Sequence, residues 1–420
     1  GSPVDGSFQP AGWTPPSGTG QVLTPGYQSD RCIQVTGDRN NDGAWISDPV
    51  QVQPGDYYEF SFWSKAEPGN QGGSAVSGPT FCNRDFWVTE SWQKYSYIFR
   101  VPENETEARF RLGQWQVKGQ IEFDGVRITP VQPIYQQQGN WVLGQNEKIE
   151  DGQYDAQHIL GGEESNTCRF LKSTTAGFNS NRWIFNPESS VIYRHTFPDN
   201  AILQGAVSVN LNYHNQGILK VGIRKEEGEW IELGTLDHVT SQTWDFPESM
   251  NKAQTIEIKL EGVADNEKGC NFQVDQYRFT AQVETPVTNQ GGNTHFVRIL
   301  ETDPRLQVTI QNPGNPQPGV ATQFHMELKN LDEQTQALHI ELEIASSSKT
   351  NSFEQNITLD SQKTRIITIP YTLVESGTAV INVHVKEAAG SPLYTGEIQF
   401  EIPDLYAVDY GDLIAHGEQA

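Results

Sequence analysis

Short stretches in which apolar and polar residues alternate one for one recur along the whole chain, and they limit what it can fold into more than any other feature. Tyr58, Phe60 and Phe62 alternate with Glu59, Ser61 and Trp63, while Ala108, Phe110 and Leu112 alternate with Arg109, Arg111 and Gly113. A period of two puts one set on a buried face and the other on the opposite face of a strand. Clusters of Gly, Pro, Asn and Asp separate these stretches, and no long run follows the 3.6-residue period of a helix. The expected fold class is therefore all-β, built as tandem β-sandwich domains.

Two breaks in composition divide the 420 residues. Pro130 to Gly139 and Thr285 to Asn293 read as linkers, rich in Pro, Gln and Gly. The reading that follows is a first sandwich over 3–131, a second over 132–284, a third over 294–406, and a tail over 407–420 that leads towards a further domain. The third segment has alternating faces at Phe324, Met326 and Leu328, at Leu338 to Ile344, at Ala379 to Val385 and at Ile398 to Ile402. That is about the strand number of an immunoglobulin-like sandwich. The first two segments resemble each other: Cys32 and Cys168 open similar strings, and Asp124 and Asp275 sit in similar closing strands.

Charge excludes several functions. Lys and Arg number 29 against 53 Asp and Glu, a net charge of −24, and such a surface repels nucleic acid and anionic lipid. No apolar run is long enough to span a bilayer as a helix, so membrane insertion is not expected. Low Lys, two Met and abundant Asn, Gln, Thr, Trp and Tyr fit a secreted or cell-surface protein. Cys32 with Cys82 and Cys168 with Cys270 would each close a loop within one sandwich; four buried thiols are the other reading.

The first segment carries an ordered set of strings: Asp5-Gly6-Ser7-Phe8 followed by Trp13, then Val52 to Ala66, Trp92 to Tyr95, and Phe123 to Ile128. Together they resemble the jelly-roll carbohydrate-binding modules that accompany xylanases and glucanases, of the galactose-binding-like type. The second segment resembles them in outline, as a diverged copy. The third resembles bacterial immunoglobulin-like spacers. The resemblance implies two jelly rolls followed by an immunoglobulin-like domain, with a polysaccharide or other glycan as partner. It also implies a chain that is monomeric or part of a longer protein.

A pyranose ring offers an apolar C–H face to an aromatic plane and a hydroxyl rim to polar side chains. Arg109, Arg111 and Trp115 share one parity, opposite Phe110 and Leu112, and Trp63 faces away from its own apolar neighbours. Trp45 resembles a loop Trp that contacts sugar in some members. The candidate groove is therefore Trp45, Trp63, Arg109, Arg111 and Trp115, with Trp87 and Gln114 added; Trp13 and Trp92 are assigned to packing.

Structural calcium is the one expected cofactor. The turn Asp38-Arg39-Asn40-Asn41-Asp42-Gly43 has side-chain oxygens at Asp38, Asn40 and Asp42 and a Gly at the sixth place, like the first half of a calcium loop, although ordinary Asx turns share this pattern. The family resemblance adds Asp5, Asp124 and Asp275 as candidate ligands. No nucleophile elbow, zinc-binding His pair or phosphate loop occurs, and the nine His are scattered, so catalysis is not expected. The function expected is glycan binding and spacing within a larger exported polysaccharide-active or cell-surface protein. A structural or adhesive sandwich array, or a jelly-roll polysaccharide-degrading enzyme, is the alternative.

Overall fold

The computed structural model describes residues 11–162, 164–198, 201–226, 228–265, 269–284, 289–346 and 349–403. The chain is all-β, with one short 3₁₀ turn at Glu248–Met250 among the described residues. It divides into two compact units: Gly1–Pro130 with Gln138–Gly292, and Val131–Gln137 with Asn293–Ala420.

The first unit contains two sandwiches. In the first, Trp13–Thr14, Asp42–Ser47, Phe110–Trp115, Ser74–Pro79 and Cys82–Phe86 form one layer in that spatial order. The facing layer is built from Gly20–Leu23, Cys32–Asp38, Tyr57–Ala66, Gln93–Arg100 and the start of Lys118–Gln138. The alternation dictates what lies between them. Phe60, Phe62, Phe99, Phe110, Leu112 and Phe123 are all buried, and each such side chain contributes roughly 1.5–3 kcal/mol by leaving water. Phe60 stacks on Phe110 across the layers at 5.0 Å.

In the second sandwich the first layer continues without a break. Gly177–Asn179 pairs in parallel with Cys82–Phe86, with Phe178 opposite Cys82 and Asn179 opposite Asn83. Beyond it come Arg182–Phe185, Asn271–Val283, Gln153–Ile159, Glu147–Glu150 and Gln290–Gly291, and with Ile202–Gln216 pairing Asn271–Val283 and Thr240–Asp245 pairing Ile202–Gln216 they give a 13-stranded sheet shared by both sandwiches. Side chains reinforce the junction. Asn166 both accepts from the Arg100 N–H and donates to its carbonyl, at 2.9 and 2.8 Å. The Arg100 guanidinium donates to the carbonyls of Leu171 and Lys172. The second sandwich is closed by a five-stranded sheet: Leu171–Thr174, Ser190–Thr196, Thr255–Val263, Ile218–Lys225 and Ile231–Leu236.

The second unit pairs Val131–Tyr135 with Thr294–Arg298 and continues through Pro392–Ile402, Gly377–Glu387, Gln336–Ala345 and Thr350–Leu359. A three-stranded sheet of Leu306–Ile310, Ala321–Asn330 and Thr364–Thr372 faces it. Phe324, Met326, Leu328, Ile340, Val383 and Ile398 fill the space between, on the faces their alternation assigns.

The four cysteines are separate buried thiols. Cys32 opens a strand, whereas Cys168 lies in the loop before Leu171–Thr174, so their similar strings adopt different local structures. The tail beyond 403 and the candidate ligand Asp5 lie outside the described residues.

Candidate functional site

On the Phe110–Trp115 strand, Phe110 and Leu112 point into the core and Arg111, Gly113 and Trp115 point out. Pairing with both neighbours fixes what stands beside them. Trp115 is opposite Asp42 on one side and Ser74 on the other, and Gly113 is opposite Ala44 and Val76. Gly113 has no room for a side chain, because a Cβ there would come within 2.5 Å of the Ala44 Cβ. Gly43, Ala44 and Gly113 therefore leave a hollow of about 80 Å³, walled by the Trp115 ring, which is 50% exposed.

This hollow adjoins a larger groove of about 660 Å³ across the junction of the two sandwiches. The register of the shared sheet brings polar groups to it in a row. Arg111 donates to Asn83 Oδ1 at 2.7 Å, and Asn83 Nδ2 donates to Asn179 Oδ1 at 2.7 Å. Ser180 Oγ donates to the same Asn179 oxygen, and Arg182 donates to Asn181. The Nε of Arg111 and the Nε of Arg182 are both buried without a hydrogen-bond partner. An N–H left in that state costs about 1–3 kcal/mol. Burial lowers the Arg111 guanidinium from its ordinary range, while Asp85 and Asp42 act in the other direction. Burial also raises the Glu105 carboxyl in the same groove. The site thus offers one flat apolar ring, two guanidinium groups, two amides and several carboxylates.

Of the residues expected from sequence, the structure brings Arg111 and Trp115 together here, with Asp42 beside them. Arg109 shares their outward parity but lies at the other end of the strand, exposed beside Ser47. Trp87 stands 80% exposed just past the Cys82–Phe86 strand. Three expectations are corrected. Trp45 is not a sugar platform: it is 2% exposed, opposite Leu112 in the core, with its indole N–H donating to the Gln34 carbonyl at 2.9 Å. Gln114 is also 2% exposed, because it shares the inward parity of Leu112. It ties the Asn41 turn to Val117 by donating to Asn41 Oδ1 and accepting from the Val117 N–H. Trp63 belongs to the facing layer and not to this groove; Tyr27 packs against it at 4.8 Å and stacks on Trp92 at 5.3 Å.

The expected metal ligands have other partners. Asp38 Oδ1 accepts from the Asn40 N–H, closing an Asx turn that carries the chain from one layer to the other, and Asp42 faces the groove. The two Asp124 oxygens accept from five donors: the N–H groups of Tyr27, Gln28, Ser29 and Gly125 and the Ser29 hydroxyl. Burial would raise its carboxyl, but these bonds hold it below the ordinary range. Surroundings made of N–H donors do not fit a cation. Asp275 accepts from Asn210 at 2.6 Å. Among the described residues no group of three or more His, Cys, Asp or Glu converges as a metal site.

The residues that sequence reasoning missed are Asn83, Asn179 and Arg182. Asn83 carries a local signal, since it shares its parity with Asp85 in a short alternating stretch. Asn179 and Arg182 carry none, because a parallel pairing between strands about a hundred residues apart brings them in.

No family model and no curated protein matches this chain. Solved structures similar to parts of it include the tandem CBM22-1–CBM22-2 domains of Paenibacillus barcinonensis Xyn10C, at 15% identity over 64% of this chain and 93% of that one, TM-score 0.25. A Bacteroides uniformis beta-glucuronidase is similar at 12% identity over 64% of this chain and 32% of that one, TM-score 0.20. The enzymatically active domain of bacteriophage CBA120 tailspike protein 4 is similar at 14% identity over 29% of this chain, TM-score 0.24. The match spans only 19% of the tailspike chain.

Proposed function

We propose that this chain binds carbohydrate in the groove at the junction of the two sandwiches, as a non-catalytic part of a larger exported polysaccharide-active or cell-surface protein. The observation that carries this reading is Trp115, half exposed beside the hollow of Gly43, Ala44 and Gly113, with Arg111 at the other end of that hollow. A pyranose C–H face covers the indole, and its hydroxyls bond to the guanidinium edges of Arg111 and Arg182 and to Asn83, Asn179 and Asp42. One ring and a few hydrogen bonds give weak affinity, which neighbouring modules in one protein raise through effective concentration. The second unit then serves as a spacer.

Calorimetric titration with oligosaccharides chosen on a glycan array tests the reading. Trp115→Ala is expected to lower affinity on the order of tenfold, about 1.4 kcal/mol, with the fold intact. Unchanged affinity for a glycan that the native chain binds removes this site.

A second reading rests on Glu105, whose carboxyl is raised by burial in a groove it shares with Asp85 and Asp42. Paired carboxyls flanking a sugar are the equipment of glycoside hydrolysis. Release of reducing ends from a polysaccharide panel, abolished by Glu105→Gln, would favour it.

A further inference from the structure

A second surface of the same unit combines an indole with a surplus of positive charge. On the outer face of the five-stranded sheet, Glu257 is directly opposite Arg194 on one neighbouring strand and Arg224 on the other. Lys172 reaches the same carboxylate from the edge strand. The pairs are short: Lys172 at 2.6 Å, Arg194 at 2.7 Å through each of two nitrogens, and Arg224 at 2.6 Å and 2.7 Å through its two nitrogens. Burial would raise the Glu257 carboxyl, and these three donors outweigh it and hold the group below its ordinary range. The carboxylate is therefore ionised, and three cations around one anion leave an excess of two positive charges. The flanking charges do not cancel it, because Lys220 pairs with Glu232 at 2.8 Å and Lys259 with Glu261 at 2.9 Å.

Arg224 places both its bonds on Oε2, while Lys172 and Arg194 share Oε1. The three cations exceed the single negative charge they surround, and they sit in a protein whose net charge is −24. Beside this row lies Trp230. Its ring rests on Gly222, where a Cβ would already be in contact with the indole at 3.4 Å. The Arg224 Cζ is 4.4 Å and the Lys259 Nζ 5.1 Å from the ring centroid. Stacking and cation contacts hold the indole against the sheet, next to the surplus charge.

We propose that this row is a second carbohydrate-binding surface, for a glycan bearing carboxylate or sulfate groups: the saccharide ring covers Trp230, and its anionic group joins Lys172 and Arg194. The surface lies on the sheet opposite the one that forms the Trp115 groove and goes beyond that reading, so each can fail alone. An entering anion relieves the mutual repulsion of three clustered cations, and the attraction weakens as salt rises.

The test titrates the full chain with an oligouronate, a sulfated oligosaccharide and a neutral oligosaccharide at low and high salt. Binding of either anionic probe with loss at high salt is expected, and which of the two binds identifies the anionic group. The double variant Lys172→Gln, Arg194→Gln leaves Arg224 to neutralise Glu257 and is expected to weaken anionic binding on the order of tenfold. It leaves neutral-glycan binding unchanged, whereas Trp115→Ala leaves anionic binding unchanged. A melting curve like the native one shows that the double variant folds; if it does not, Arg194→Lys, which keeps the charge, and Trp230→Ala carry the test. The proposal is overturned if neither anionic probe binds. It is equally overturned if binding survives the double variant, or if it survives Trp230→Ala, which would leave an ion-exchange surface with no saccharide contact.

Discussion

The two sandwiches of the first unit share a sheet but have cores of different character. The first is filled mainly by phenylalanines, Phe60, Phe62, Phe99, Phe110 and Phe123, and its two buried polar rings, Trp45 and Tyr97, each donate one bond to a main-chain carbonyl. The second buries two hydrogen-bonded chains. In one, Trp183 donates to the Tyr193 oxygen, Tyr193 meets His158 Nδ1 at 3.0 Å, and His158 Nε2 reaches the Ser165 carbonyl at 2.6 Å. In the other, Tyr277 and Tyr154 flank His195, and Tyr154 donates to Glu147, which pairs with Arg169. An apolar core is held by volume alone, whereas a buried polar chain ties its strands to one register at the cost of keeping its members in one protonation state. Burial drives both imidazoles towards the neutral form, His158 down to about 4 and His195 well below its ordinary value. The comparison teaches that stability in one half depends chiefly on packing and in the other also on protons, while the shared sheet joins the two.

The largest expected effect breaks that comparison most directly. Phe110→Ala should cost about 3–5 kcal/mol in urea denaturation, by the same amount at acid and neutral pH, and in one transition. Two separate transitions would show that the shared sheet does not couple the halves.

Next comes Glu164, whose carboxyl burial raises to about 8 and whose Oε1 has no partner. A carboxyl raised in the folded state contributes stability that is complete below its unfolded value near 4.5 and fades as pH climbs through 8. Glu164→Gln is therefore expected to leave stability at pH near 4.5 little changed and to raise it near pH 8 by roughly 2–4 kcal/mol.

His158 acts in the other direction. Its folded value lies below its unfolded 6.5, so its contribution is complete above 6.5 and is lost as pH falls towards 4. The unfolding free energy from urea titration should fall across that window, by about 2–3 kcal/mol from this group. A flat profile would mean that the imidazole is not held neutral. Trp115→Ala, by contrast, should alter binding while moving stability by less than about 0.5 kcal/mol, as expected for a half-exposed ring.

Much of this was legible in the sequence because strand parity is local. The alternation of Arg109 and Arg111 with Phe110 and Leu112 places the outward row, and the same rule, against the inclusion of Gln114 in the expected groove, puts that side chain inward. Trp45 was misread because its partner Leu112 is 67 positions away, and only that pairing shows that its strand turns the indole into the core. The far half of the groove was invisible for the same reason. No property of Asn179 or Arg182 announces that Gly177–Asn179 will lie alongside Cys82–Phe86. The buried tyrosines and histidines of the second core were equally silent, since Tyr193-Arg194-His195 alternates like any half-exposed strand.

The parallel seam at Phe178 and Cys82 has a consequence for how such proteins are cut and recombined. A fragment ending at Pro130 would keep its phenylalanines but leave the Cys82–Phe86 backbone with a row of bare amide and carbonyl groups, an open template for any extended segment it met. The smallest piece that can be moved between genes intact is therefore the pair of sandwiches, although repetition along the chain suggests two interchangeable beads.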